Sequence, residues 1–342
     1  MIEALGKLPS GSGLERIKGK ANYTAKGFVN LSHTPMMAED TSYFKVFKDM
    51  LNRPKTSAPP RAMPSIKTNL SQLPDSEPVL VWFGHSSYLL RVDQINILID
   101  PVFSGNASPF SFMVNAFEGS NVYGVDDMPE IDILVITHDH YDHLDYKTIK
   151  LLRNKVKSIV CSIGVAPHLI YWGYPQEKIT ELYWGESTSV SGLKFTAASA
   201  RHFSGRSLVR NRSLWSSFIV QSAQHQIYIG GDSGYDTHFK TIGAQFGGFD
   251  LAILECGQYN NAWKYIHMTP EETVQASIDL KAKVLMPVHW GKFSLALHPW
   301  DEPIERAHAH AEKLQVKITS PKIGEVLQLN RYMPSEKWWR NI

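Results

Sequence analysis

His138-Asp139-His140-Tyr141-Asp142-His143 gathers three histidines and the carboxylate of Asp142 within six residues. Neutral imidazole nitrogen and carboxylate oxygen are the ligands that suit zinc. Four such groups exceed what one tetrahedral ion takes once other ligands arrive, so the spacing points to two ions. The cluster follows Asp132-Ile133-Leu134-Val135-Ile136-Thr137, a short apolar run rich in β-branched residues. That run reads as a buried strand delivering the cluster to the end of a sheet. A polar loop holding histidines by chance is the alternative, and the dense packing of the pattern argues against it.

The same device recurs downstream. Phe195-Thr196-Ala197-Ala198-Ser199-Ala200-Arg201 runs into His202, Ile227-Tyr228-Ile229-Gly230-Gly231 into Asp232, and Val284-Leu285-Met286-Pro287-Val288 into His289. One polar residue past a strand is ordinarily a satisfied structural group. Three of them, after the first cluster, point to a shared rim.

Elements that could position this rim are legible from about Pro78 onward. Tyr88 to Val92 and Ile95 to Ile99 read as strands joined by a tight Asp93-Gln94 turn, and further strands are expected at Leu193 to Ala198, Leu214 to Val220, Gln226 to Ile229 and Asp250 to Leu254. Helices are expected at about 147–154, 164–172, 239–246, 270–280 and 303–314. Thr269-Pro270-Glu271-Glu272 is a good helix opening: a threonine cap, a first-turn proline, and acids at the positive end of the dipole. Residues 1–74 read as an arm punctuated by Pro54, Pro59, Pro60, Pro64 and Pro74, extended or partly ordered, with a short helix near Ser42 to Leu51. Residues 75–330 form the main domain, and 331–342 a C-terminal tail. Strands first, then strands and helices mixed, imply an α/β (α+β) arrangement of face-to-face sheets with helices outside.

Composition bounds the function. The 342 residues are 43% hydrophobic, enough for a substantial core, and the formal charge of +2 gives no case for nucleic-acid binding. Cys161 and Cys256, the two cysteines, sit in apolar runs without CxxC spacing and read as buried strand thiols. No signal-peptide pattern and no membrane-spanning apolar run is present, so a cytoplasmic protein is expected, with peripheral membrane contact left open.

The chain resembles the metallo-β-lactamase superfamily, and within it the N-acylphosphatidylethanolamine-hydrolysing phospholipase D branch and its bacterial relatives. The superfamily motif is His138-x-His140-x-Asp142-His143 with His202, Asp232 and His289. The branch likeness rests on longer strings, among them Trp82-Phe83-Gly84-His85, Leu98-Ile99-Asp100-Pro101, Leu214-Trp215-Ser216-Ser217, Gly230-Gly231-Asp232-Ser233-Gly234-Tyr235 and His267-Met268-Thr269-Pro270-Glu271-Glu272. It covers about residues 75–330 and is not specific for substrate.

This resemblance implies an αββα sandwich with a metal site at one edge. His138, His140 and His202 would hold one ion, Asp142, His143 and His289 a second, and Asp232 would bridge them. Two Zn2+ are implied, with Mn2+ or Fe2+ competing for related sites. His140 stands where a diiron branch carries glutamate, which favours zinc hydrolysis. The implied reaction is phospholipase D-type hydrolysis of N-acylphosphatidylethanolamine to phosphatidic acid and N-acylethanolamine, with Asp232 and His267 catalytic. His267 would contact the substrate phosphate or assist the leaving group; a helix-capping or structural histidine is its alternative. Tyr141 would contact the substrate head group, or else pack against the adjacent loop. Asp100 is the first candidate to support a ligand histidine from behind, Asp139 a less certain one. His85 lies either on the rim or beneath the site.

Other readings stay open. The same site could serve a sugar-phosphate lactone or a soluble phosphodiester, or a non-catalytic metal-binding protein. Phe110, Phe112, Met113 and Phe117 could line an acyl-chain groove or anchor a loop. Trp338-Trp339-Arg340 could touch a membrane or dock on its own domain. A homodimer is compatible with the arm, though no feature demonstrates one. His33, His168, His225, His238, His298, His308 and His310 are assigned to the surface. Ser111, Phe112, the His202-to-Arg206 stretch and Lys292 depart from the mammalian pattern, which leaves lipid selectivity open.

Overall fold

The computed structural model describes residues 2–342. The arm carries helix α1 (Gly11–Lys18), a small hairpin of β1 (Tyr23–Thr24) and β2 (Gly27–Phe28), and helix α2 (Tyr43–Leu51). Ser42 caps α2 by accepting the Lys45 N–H. Ile17 and Phe28 pack with Ile163, Ala200, Leu214 and Trp215, so apolar anchors fasten the arm to the sheets' connections.

Two sheets follow. The first contains β3 (Val79–Trp82), β4 (Tyr88–Val92), β5 (Ile95–Ile99), β6 (Ile131–Ile136), β7 (Val156–Ser162) and β8 (Ile179–Leu182). The second contains β9 (Ser187–Val190), β10 (Leu193–Ala198), β11 (Ser217–Gln221), β12 (Gln226–Ile229), β13 (Leu251–Glu255) and β14 (Leu285–Val288), and β15 (Val326–Gln328) returns to the edge of the first. Strand orders are β15-β3-β4-β5-β6-β7-β8 and β14-β13-β12-β11-β10-β9. β5 to β8 are parallel, as are β12 to β14. β10 runs in the direction of β12 because both pair antiparallel with β11.

The period-two rule of a strand explains the layering. On β6, Ile133 and Val135 enter the core between the sheets, where they join Phe195, Phe218, Ile229 and Ile253. Leu134 and Ile136 face outward onto helices α3 (Tyr146–Leu152) and α4 (Ala166–Tyr171) through Ile149, Leu152 and Leu169. Helices α5 (His238–Phe246), α6 (Pro270–Asp279) and α7 (Glu302–Lys313) cover the second sheet through Phe239, Val274 and Ala311. Both faces of the central strands are buried, so they read as continuous apolar runs. The expected sandwich of two mixed sheets between helical layers is what forms.

Several local readings were displaced. The strand expected from Leu214 begins at Ser217, because Leu214 and Ser216 spend their N–H groups on the Ile163 and Thr137 carbonyls. His168, His238 and His308 are buried rather than at the surface, each with a polar partner: Asp139, Ser233 and Ser320. Trp338 and Trp339 dock into the inter-sheet core, and Arg340 pairs with Glu305. No described helix is long and apolar enough to cross a membrane.

Candidate metal centre

Every residue of the rim leaves the C-terminal end of a strand: Asp100 from β5, the 138–143 cluster from β6, His202 from β10, Asp232 from β12, Glu255 closing β13, and His289 from β14. The chain must turn sharply there. Asp100, His289 and the neighbouring His85 take positive φ values of 41°, 67° and 54°, which side chains rarely adopt. Such backbone outliers gather where a side chain has to be aimed.

Two main ligand groups result, one formed by His138, His140, His202 and Asp232, the other by His85, Asp142, His143 and His289, and a third set of Asp232, His267 and His289 overlaps both. In the first, His138 Nε2 and His202 Nε2 lie 2.9 and 3.2 Å from His140 Nδ1. Nitrogens spaced about 3.3 Å are what a tetrahedral ion with ~2.0–2.1 Å bonds requires. The tautomers are set from behind. Thr137 Oγ1 donates to Asp100 and lies 3.0 Å from His138 Nδ1, while His202 Nδ1–H donates to the Ile266 carbonyl at 2.8 Å. Both Nε2 lone pairs therefore face inward, where His140 Nδ1 can satisfy only one of them with a proton.

In the second group, His143 Nδ1–H donates to Asp100 Oδ2 at 2.8 Å, leaving Nε2 towards Asp232 Oδ2 at 3.1 Å and Asp142 Oδ2 at 3.6 Å. His289 Nδ1 lies 2.9 Å from Ser86 Oγ, and Asp232 Oδ2 stands 3.7–3.8 Å from His138 and His202 in the first group. Asp232 thus touches both groups.

The donor set fits divalent metal. His143 Nε2, His289 Nε2 and Asp232 Oδ1 are buried without a hydrogen-bond partner among the described residues. Leaving such groups unpaired is costly, and coordination relieves it. Burial holds His138, His202 and His289 well below the usual imidazole pKa and brings His140 down to about 4, so they stay neutral, the coordinating form. Burial likewise pushes Asp232 up to about 6. Burial would also lower His143, but Asp232, Asp142 and Asp100 raise it well above normal. A cation is what these crowded acids demand.

A cavity of about 470 Å³ opens over the centre. Its floor is His140, Asp142, His202, Asp232 and His289; its walls include Met36, Met37 and Met50 of the arm, Phe203, Trp263 and Arg210. Phe110, Phe112, Met113 and Phe117 do not line it. Phe110 and Phe112 stack on each other at 5.8 Å in an exposed loop.

His267 lines the cavity, and its Nδ1 lies 2.8 Å from Glu255 Oε2. His85 lies beneath the site, Nε2 against Asp142 Oδ2 at 2.9 Å. Tyr141 turns away from the cavity: its hydroxyl donates to the Arg206 carbonyl, and its ring lies against the Arg206 guanidinium at 4.1 Å. It packs against the adjacent loop that carries Arg206. Asp139 also faces outward, bonded to His168, Ser213 and the Gly205 N–H. Glu255 is a further site residue, and its signal in the sequence is the one that marks Asp232 and His289: a polar side chain at the end of an apolar run, here Ala252-Ile253-Leu254. Nothing in the arm's sequence announced Met36, Met37 or Met50 as cavity walls.

Residues 95–290, more than half of the chain, match the β-lactamase superfamily domain. An uncharacterized protein of Mycobacterium tuberculosis is 38% identical over 99% of this chain and 94% of its own length. N-acyl-phosphatidylethanolamine-hydrolyzing phospholipase D 1 of Caenorhabditis elegans is 30% identical over 72% of this chain and 74% of its own. A metallo hydrolase from Ignicoccus hospitalis superposes with a TM-score of 0.58, at 19% identity, over 75% of this chain and all of its own. The chain belongs to the β-lactamase superfamily and is a metal-dependent hydrolase related to the N-acyl-phosphatidylethanolamine-hydrolyzing phospholipases D.

Proposed function

We propose that this protein is a binuclear zinc hydrolase that cleaves N-acylphosphatidylethanolamine, or a closely related lipid phosphodiester, in the manner of a phospholipase D. His138, His140 and His202 would hold one ion and Asp142, His143 and His289 the other, with Asp232 shared. When bound, two such ions supply a hydroxide at neutral pH and stabilise charge growing on phosphoryl oxygens. The carrying observation is that one carboxylate, Asp232, touches both ligand groups on the floor of a cavity whose walls are largely apolar.

The chain's own groups divide the remaining work. Met36, Met37, Met50, Trp263 and Ile266 give an acyl chain an apolar wall and exclude water. Arg210 offers a guanidinium on the same wall; it reaches the Met36 thioether and lies over the Phe203 ring, and no carboxylate pairs with it among the described residues. That leaves it available to a phosphate. Burial lowers His267, so its Nε2 is neutral at pH 7. It can take the proton of the attacking water and return it to the departing ethanolamine oxygen as the new P–O bond forms and the old one breaks. Phe44, Phe47 and Leu51, 78%, 62% and 71% exposed, form one face of α2 beside cavity-lining Met50 and suit transient contact with a lipid aggregate.

Hydrolysis of N-acylphosphatidylethanolamine in mixed micelles tests this reading, with Asp232→Asn as control. Release of N-acylethanolamine that disappears in the control supports it. No release from protein carrying close to two metals per chain removes the lipid substrate, and turnover of a sugar-phosphate lactone instead would reassign the site.

A further inference from the structure

Arg206 is a buried arginine that, among the described residues, has no carboxylate partner and donates its hydrogen bonds to carbonyls. Nη1 donates to Asp139 and Leu144, the two ends of the loop that carries His140, Asp142 and His143. Nε and Nη2 donate to Ala4 in the arm, 202 residues away in sequence. The guanidinium lies between the rings of Tyr141 at 4.1 Å and Trp172 at 5.1 Å. Burying a cation on carbonyls alone is expensive, yet a planar five-donor fork is the group that can hold two chain segments in fixed register.

A second strand of bonds runs beside it. Lys7 N–H donates to His168 Nδ1 at 3.0 Å, and His168 Nε2 reaches Asp139 Oδ2 at 3.3 Å. Asp139 lies between the ligands His138 and His140. Trp172 Nε1 donates to the Glu3 carbonyl. Gly6 lets the turn close: its φ is +70°, and a Cβ there would stand 2.0 Å from His168 Nδ1. Any other residue would push the turn off the imidazole.

We propose that the turn formed by residues 3–7 is a working part of the metal centre, clamped by Arg206 and His168 to the back of the 138–144 loop, and that these two are positioning residues setting metal affinity. This rests on the reading that the loop holds metal. Its consequence is that the arm controls the centre from behind as well as walling the cavity in front.

The test uses the full chain, a chain lacking residues 1–9, Gly6→Ala, Arg206→Met and His168→Gln. Each is titrated with Zn2+ against a chromogenic chelator, and each is loaded with Co2+ to read its visible spectrum. Loss of groups that orient metal ligands typically weakens metal binding about 10- to 100-fold. A loss in that range is expected for truncation and Arg206→Met, a smaller loss for Gly6→Ala and His168→Gln, with altered cobalt bands in each. A synthetic peptide of residues 2–9 added to the truncated chain should restore affinity.

Unchanged zinc affinity and cobalt spectra in variants that merely melt earlier would overturn the proposal and leave a structural anchor. Should Arg206→Met fail to fold, Gly6→Ala, His168→Gln and the truncated chain decide alone. A full chain that binds no metal overturns the underlying metal reading, and the clamp with it, whereas equal binding by all five proteins removes the clamp alone.

Discussion

His267 and Glu255 form a dyad at the cavity wall, the acid buried and the imidazole part-buried, with Nδ1 2.8 Å from Oε2. The other carboxylate oxygen, Oε1, accepts the Ser233 N–H at 3.0 Å, so the acid is fixed to the same strand end as Asp232. The dyad leaves the second imidazole nitrogen for the cavity. Replacing His267 by Gln should lower kcat by about 10²–10⁴ while metal content stays at the wild-type level. Glu255→Gln should give a smaller drop of the same kind. Steady-state kinetics on metal-analysed protein checks both; wild-type kcat in His267→Gln would rule out proton transfer by this residue.

Asp100 accepts from His143 Nδ1, Thr137 Oγ1 and the Thr137 N–H. An amide cannot accept all three, and its NH₂ would face a donor. Asp100→Asn should weaken metal binding by about 10- to 100-fold, read by chelator competition. Because Thr137 also contacts His138, both ligand groups should be affected rather than one.

Lys292 is buried, donating to the Phe83 and Val102 carbonyls, and burial brings its pKa down to about 7. The folded chain therefore holds fewer protons at this site than the unfolded chain between about pH 7 and 10.5. Its unfavourable contribution is complete below pH 7 and fades as pH rises, so stability gains up to ~1.4 kcal/mol per pH unit from this group. Unfolding free energies of wild type and Lys292→Met from urea titrations, compared from pH 7 to 10 at fixed metal, should diverge by that slope. Parallel curves would contradict it.

Arg210 stands over Phe203 at 5.4 Å, and Phe203 packs on the rings of His140 and His202 at 4.4 and 4.8 Å. A guanidinium one ring away from His140 and His202 should help bind the anion without entering the chemistry. Arg210→Gln is expected to raise KM for an anionic phosphodiester about tenfold or more, the scale of a ~1.5–3 kcal/mol charge-assisted hydrogen bond, with kcat little changed. Arg210→Lys should recover part of it. A fall in kcat at constant KM would place the residue in the reaction instead.

The centre was legible because its geometry is local. A strand fixes the direction of the residue that follows it, so His138, His202, Asp232 and His289 each announce themselves. The hairpin was legible for the same reason: Asp93 and Gln94 both adopt left-handed φ, 50° and 67°, as a two-residue connection demands. What stayed hidden depends on distant sequence. Arg206 finds Ala4 across 202 residues, Met36 and Met50 meet the cavity from an arm without periodicity, and Tyr141 was turned outward by an arginine that its own neighbours do not reveal. His168 looked like a surface residue because Asp139, its partner, lies 29 positions away.

Metal content is the most direct test of the two-ion centre. Purified protein reconstituted with Zn2+ and freed of excess should carry close to two ions per chain, and Asp232→Asn, which weakens the carboxylate touching both groups, should carry clearly fewer and lose hydrolysis. One ion per chain in fully active wild type, or two ions retained with wild-type turnover in Asp232→Asn, would contradict a centre in which Asp232 joins two metals.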